Sequence, residues 1–443
     1  MSTNLQTDAH AGRLAWLTTG APLERAARCL LVLTGFSIPL STSLSEIATS
    51  LFLCCWLCSG DWRAKWGVIR ANLVALWSLV LFGLLLVGTT WSTEGWGAAG
   101  RCLLKYREFL YLPMFLIVFR DAALRRLAVS AFLLAVVMVL GLSYTEWLTG
   151  ADYGYGSSPH DFLIGKDRIN HGLIMAFAAF LAVGRMTENL GRTAVDGRRA
   201  WAWAGSYAMI FVFAIHNELC MSTGRTGYVV LAGLVCVFLA ELLGRRGLAI
   251  AGLVLAISGM AVVNSSSTIH DRVSETIGQL QEQWDPSRTH PTEPRLEFYA
   301  NACRMIARHP WLGTGTGSFG REYARQVAGS DDRLTRDPHN EYLCLASQVG
   351  VPGALLFVGL LAFQWLAAAR LPAAERSIGR GVVATIALGS LFNSLILGIT
   401  GGLIYSYFSA LAFADLVPVV HSASAPDIAP TAAVGKVPTK QAA

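Results

Sequence analysis

Most of this chain is apolar runs long enough to cross a bilayer, and that leaves few folds open to it. A hydrocarbon core about 30 Å thick takes about 20 apolar residues per helix. Backbone in lipid must satisfy its hydrogen bonds internally, so such runs fold as helices. Twelve candidate spans centre near Leu33, Phe52, Ser78, Phe115, Val136, Ala178, Ile210, Ala232, Leu255, Phe357, Leu388 and Ala410. Only 14% of the 443 residues are charged, against about 25% in soluble domains. The reading is an all-α integral membrane protein with about twelve transmembrane helices. The first two spans are separated only by Pro39 to Ser45 and should form a tight hairpin. The first 20 residues lack a continuous apolar core, so the run near Ala27 to Leu40 is expected to act as an uncleaved signal-anchor.

Basic residues set the orientation. They cluster before the first span (Arg13, Arg25, Arg28), after the second (Arg63, Lys65, Arg70) and after the fourth (Arg120, Arg125, Arg126). The same alternation continues after the sixth, eighth and tenth spans and ends with Lys436 and Lys440 in the tail. One side is therefore cytoplasmic, with both termini on it. The long polar segment 264–341 faces outward, into the periplasm if the membrane is a bacterial inner membrane. The expected organisation is a bundle over 1–263, a helical periplasmic loop over 264–341, spans over 342–420 and a disordered cytoplasmic tail over 421–443.

The charge of +6 is spread over short loops with no aromatic stripe, which argues against nucleic acid as a partner. Cys54, Cys55, Cys58 and Cys236 lie inside apolar runs, where cysteine is a small hydrophobe. No CxxC pair in a polar loop has metal-ligand partners, so neither a zinc site nor a disulfide framework is expected.

The polar segment is patterned for structure. Ile269, Val273, Ile277, Leu280 and Trp284 recur at helical spacing opposite Asp271, Glu275 and Glu282, as in a helix lying on a membrane surface. A second helix should start at Pro294, pass Arg295 and Tyr299, and stop at Pro310. Gly313, Gly315 and Gly317 alternate in the next turn, where backbone amides either approach a ligand or simply bend tightly. A third helix should run from Ser318 to Val327.

Then comes Arg336-Asp337-Pro338-His339-Asn340-Glu341-Tyr342. Asp337 reads as the N-cap and Pro338 as a first-turn residue of the helix entering the tenth span. His339 would lie in that first turn, where the helix dipole favours neutral imidazole, and a neutral imidazole can serve as a general base. The plainer alternative is that His339 only caps or hydrogen-bonds the loop. Glu341 either orients the imidazole or is a favourable first-turn acid. Gly350-Val351-Pro352-Gly353 predicts a kink soon after.

Outward-facing cations run against the positive-inside bias. Arg101 and Lys105 share a helix face before the fourth span, and Lys166 and Arg168 precede the sixth. Arg225 sits in the short turn Ser222 to Gly227, and Arg295 opens the second outer helix. Several such cations suit a diphosphate. The alternative is snorkelling to lipid headgroups, which is the favoured reading for Arg107 and Lys166. A cation in the very short Arg225 turn would be costly unless paired or functional. His216, Asn217 and Glu218 are expected at the outer interface beside Arg225. An intramembrane charge there would instead fit a polytopic lipid or glycan transporter.

Three motifs together resemble the O-antigen ligase and polymerase superfamily: Ser222-Thr223-Gly224-Arg225-Thr226-Gly227; Arg295 followed by His309-Pro310-Trp311-Leu312-Gly313-Thr314-Gly315; and Pro338-His339-Asn340-Glu341-Tyr342 followed by Gly350. The resemblance runs from about Ser222 to Leu360. It implies an integral-membrane glycosyltransferase of lipid-linked sugars, with no cofactor, metal or nucleotide. Its donor would be O-antigen on undecaprenyl diphosphate, and in the ligase branch its acceptor is lipid A–core oligosaccharide. It further implies His339 as base, with Arg225 and Arg295 on the diphosphate. Arg101, Lys105 and Arg168 are added from topology alone. Polymerases and protein O-glycosyltransferases of the same superfamily share these motifs.

Overall fold

The computed structural model describes residues 21–153, 161–265 and 294–416. The surface helix expected over Ile269–Trp284 and the tail from His421 lie outside the described residues.

All regular structure among the described residues is helical. α1 (Pro22–Leu40) and α2 (Thr42–Cys58) form the expected hairpin. Ser41 alone joins them: its N–H donates to Ser37 O at 3.0 Å, and its hydroxyl accepts from the Leu44 amide at 3.3 Å. α2 then bends by 114° into α3 (Trp62–Ala71). Lys65 Nζ on α3 donates to Trp56 O at 2.6 Å and lies 4.5 Å from the Trp56 ring. Tryptophan and lysine together suit a helix at the membrane interface.

The bundle continues with α4 (Leu73–Gly88), α5 (Trp96–Lys105), α6 (Glu108–Val118), α7 (Ala122–Thr149), α8 (Arg168–Gly191), α9 (Thr193–Cys220), α10 (Arg225–Leu243) and α11 (Arg245–Ser265). The outer layer holds α12 (Pro294–Arg308) and α13 (Phe319–Gln326), both close to their expected bounds. α14 (Glu341–Ala368), α15 (Ala373–Gly389) and α16 (Ile399–Phe413) complete the bundle.

Each of the twelve expected centres falls on a helix of its own. Among the described residues, five helices are long and apolar enough to cross a membrane, or six if the bent α2–α3 pair is one span. Several of the others are shortened or broken. α6 is only 11 residues long and contains Pro113, α9 is interrupted at Gly197, and α16 begins only at Ile399 because 390–398 is irregular. α16 is the centre of the bundle, buried from Thr400 to Phe413. Its Phe408 meets Phe177 of α8 edge-on at 4.7 Å, and its Tyr407 meets Phe119 at 5.0 Å.

Polar ties sort by bundle end. At one end, Arg125 pairs with Asp415 at 2.7 Å and Glu375 at 3.5 Å, and Arg380 with Glu241 at 3.3 Å. At the other end Arg107 pairs with Glu46, so it is engaged within the protein rather than snorkelling to lipid. The outer layer sits at this second end. It has its own small core of Phe298, Ala302, Met305, Phe319, Tyr323 and Val327, which packs on α14 through Leu343.

Candidate functional site

His339 precedes α14 instead of occupying its first turn. The N-cap is Asn340, whose Oδ1 accepts from the Leu343 amide at 3.0 Å, and the helix begins at Glu341. The expectation of an Asp337 cap is therefore corrected. Asp337 is already engaged, because its Oδ1 accepts from the His339 amide at 3.1 Å and from Ser394 Oγ. His339 adopts φ 54°, a left-handed conformation that histidine tolerates better than most residues. The dipole argument for a first-turn histidine thus loses its basis, and neighbours hold the residue instead. His339 O accepts from the Tyr299 hydroxyl at 3.2 Å, the Phe298 ring lies 6.0 Å away, and Asp337 Oδ2 is 3.7 Å from Nδ1. The imidazole stays 42% exposed, open to a substrate.

Glu341 does not orient it. Fully buried, its carboxylate accepts from the Tyr106 hydroxyl at 3.1 Å and the Ile396 amide at 2.9 Å. Its own amide donates to Ser390 O at 2.9 Å.

The irregular stretch 390–398 between α15 and α16 organises the site. Leu391 O accepts from Tyr299 Oη and from Asn340 Nδ2, both at 2.9 Å. Asn393 Nδ2 donates to Thr226 Oγ1 at 2.9 Å, one residue from Arg225, while Ser394 holds Asp337. The Arg225 turn and the His339 turn are thus fastened to adjacent residues of one segment.

Arg225 is the half-buried first residue of α10. Its turn is fixed by Asp161, whose Oδ1 accepts from the Thr223 amide at 2.9 Å and from the Thr223 hydroxyl at 2.6 Å. A Cβ on Gly224 would stand 2.6 Å from Arg168 O, so the starts of α8 and α10 touch through backbone. This brings Arg168 beside the Arg225 turn. Arg295 lies one helical turn before Tyr299 on α12, and so on the side of that helix that reaches His339. Arg101 and Lys105 are on the exposed side of α5. The inward side of α5 carries Cys102, which donates to Gln348 Oε1 at 3.3 Å.

Glu218 and Asn217 are fully buried at the end of α9. Glu218 packs beneath the Arg225 turn, where a Cβ on Gly227 would meet its Oε1 at 1.9 Å. Asn217 Oδ1 accepts from His171 Nε2 at 2.7 Å, and His216 pairs with the Tyr144 hydroxyl at 2.7 Å.

Lys166 also departs from expectation. It is 5% exposed, and its Nζ donates to Thr42 Oγ1 at 2.8 Å and Thr400 Oγ1 at 3.1 Å. The α1–α2 hairpin, the loop before Arg168 and the start of α16 are clamped by one ammonium. Burial pushes its pKa down to about 8, below the lysine value of about 10.4 in an unfolded chain. The cost of burying the charge is fully present below pH 8 and fades as pH rises through 8 towards 10. Between about pH 7.5 and 9.5 the melting temperature should therefore rise relative to that of Lys166→Met, which lacks the titrating group. Parallel profiles of melting temperature against pH for the two proteins would refute the lowered pKa of Lys166.

The glycine turn is not an anion cradle. The Thr314, Gly315 and Thr316 amides donate to Ser347 O at 2.9 Å, Gln348 O at 2.8 Å and Gly88 O at 3.0 Å, and the Gly317 amide to Gln348 Oε1 at 2.6 Å. These amides are spent on packing the outer layer against α4 and a break in α14. Among the described residues no group of three His, Cys, Asp or Glu is placed to hold a metal ion.

Two comparisons bear on this geometry. An O-antigen ligase from Pseudomonas aeruginosa is 36% identical over 75 residues, which is 16% of this chain and 18% of that protein. Residues 209–358 match the family described as O-antigen ligase. Over those residues the chain is similar to that family. The matched stretch contains the Arg225 turn, Arg295, the glycine turn and His339. The 390–398 segment lies beyond it, as do Arg101, Lys105 and Arg168. Sequence reasoning passed over Asn393 and Ser394, although a polar pair between Phe392 and Leu395 inside an apolar run is a signal of function.

Proposed function

We propose that this protein is a glycosyltransferase that moves O-antigen polysaccharide from undecaprenyl diphosphate onto a sugar hydroxyl of lipid A–core oligosaccharide, at the periplasmic face of the inner membrane. The observation that carries the reading is the fastening of the Arg225 turn and the His339 turn to one segment, with α12, the helix that carries Arg295, tied through Tyr299 to His339 and to Leu391 of that segment. His339 takes the acceptor's proton. Arg225 and Arg295 hold the diphosphate and stabilise its growing charge as it leaves, with Arg168 beside them. Arg101 and Lys105, on an exposed helix, draw the anionic donor to the site. The energy of the reaction resides in the diphosphate linkage, so no nucleotide is needed.

The test is reconstitution of the purified protein with undecaprenyl-diphosphate glycan and rough lipopolysaccharide, in chelator and without nucleotide. Ladder product on the core is expected, with inversion at the anomeric carbon because the acceptor attacks in one displacement. Retention in the new linkage would sink the single displacement. Lengthening of the lipid-linked glycan with no transfer to core would make the protein a polymerase instead.

A further inference from the structure

We propose that Asp337, held by Ser394, is the positioning residue that turns His339 Nε2 towards the acceptor hydroxyl. The inference rests on His339 being the base.

Asp337 Oδ1 takes two donors, the His339 amide at 3.1 Å from its own turn and the Ser394 hydroxyl from across the bundle. Together they fix the carboxylate plane. Its second oxygen then faces the imidazole, with Oδ2 3.7 Å from Nδ1. That distance is beyond a formed hydrogen bond, and hydrogen bonds to catalytic groups commonly tighten only when substrate is bound. The left-handed backbone at His339, φ 54°, folds the side chain back towards Asp337, two residues earlier. The Phe298 ring at 6.0 Å and the Tyr299 hydroxyl on His339 O limit how far the turn can move.

The chemistry follows from this arrangement. Asp337 favours the tautomer with hydrogen on Nδ1, which leaves the lone pair on Nε2. The acceptor hydroxyl gives its proton to Nε2 as its oxygen bonds to the anomeric carbon. The bond from that carbon to the diphosphate oxygen breaks, and its electron pair leaves with the diphosphate. The imidazolium then donates from Nδ1 to Asp337 Oδ2 until the proton is lost to water. This is the general logic of a base oriented by a carboxylate.

Asp337→Asn separates positioning from folding. An asparagine Oδ1 can still accept from the His339 amide and from Ser394, so the turn is kept. Its amide N–H would now face Nδ1 and favour the wrong tautomer. In the full-length protein, kcat for transfer should fall by roughly 10²-fold or more, with KM for donor and acceptor unchanged. Made in a His339→Asn background and followed in single turnovers, Asp337→Asn should cost nothing further, because its effect passes through the imidazole. An equal loss in both backgrounds would assign Asp337 a structural role and overturn the proposal. Wild-type rates for His339→Asn would overturn the base assignment itself, which is a separate failure.

Discussion

His339→Asn, in a protein that still inserts and melts like the wild type, should transfer glycan ~10²- to 10⁴-fold more slowly, the usual range for loss of a general base. Asparagine is the better variant than alanine because it tolerates a left-handed backbone, and His339 sits at φ 54°. The fold should hardly notice the change. The imidazole is 42% exposed, and its neighbours are the tilted ring of Phe298 and the Asp337 carboxylate. The hydrogen bonds that fix the turn are made by the His339 backbone, to Asp337 and Tyr299, and they survive. His339→Ala should lose as much activity and additionally pay ~1 kcal/mol for the left-handed conformation. The measurement is the initial rate of ladder formation in proteoliposomes, with the melting temperature as control. Near-normal transfer by either folded variant removes His339 from the base role. The plainer reading, that His339 only hydrogen-bonds the loop, would then stand.

What the sequence made legible was set by local pattern. Apolar length located the helices, Pro294 marked the start of α12, and Gly350 marked the break in α14. The failures were those of long-range pairing. Asp337 and Asn340 are both good caps in isolation. Only Ser394, 57 positions away in the chain, decides between them by occupying Asp337. Likewise nothing near Lys166 indicates that Thr42 and Thr400 will converge on it, so an inward ammonium read as a snorkelling one. Alternating glycines did signal unusual backbone, but whether their amides face a ligand or a carbonyl depends on what packs opposite. Here it is the broken end of α14.

That packing sets the second large effect, on stability. Gly350 has φ 78° and ψ 173°, a region almost closed to other residues, and Val349 beside it is also non-helical. The break frees the carbonyls of Ser347 and Gln348 from the helix ladder, and the amides of Thr314 and Gly315 take them. The Val351 amide in turn donates to Pro310 O at 2.8 Å. A Cβ at Gly350 would stand 2.2 Å from Trp311 O and 2.4 Å from Trp311 C, both backbone atoms fixed by this exchange. Gly350→Ala should therefore cost on the order of 3–5 kcal/mol from strain and overpacking together, and lower the melting temperature by roughly 3–5 °C. Gly205→Ala is the matched control. It lies in α9 with no atom within 4 Å of its would-be Cβ, so alanine there should be neutral or stabilise by up to about 1 kcal/mol. Activity should fall with Gly350→Ala as well, because the break lies in the same helix that His339 leads into, and the outer layer carrying Arg295 and Tyr299 docks on it. If Gly350→Ala melts at the same temperature as Gly205→Ala, the close packing of the glycine turn on the α14 break is wrong, and with it the account of how the outer layer is held over the site.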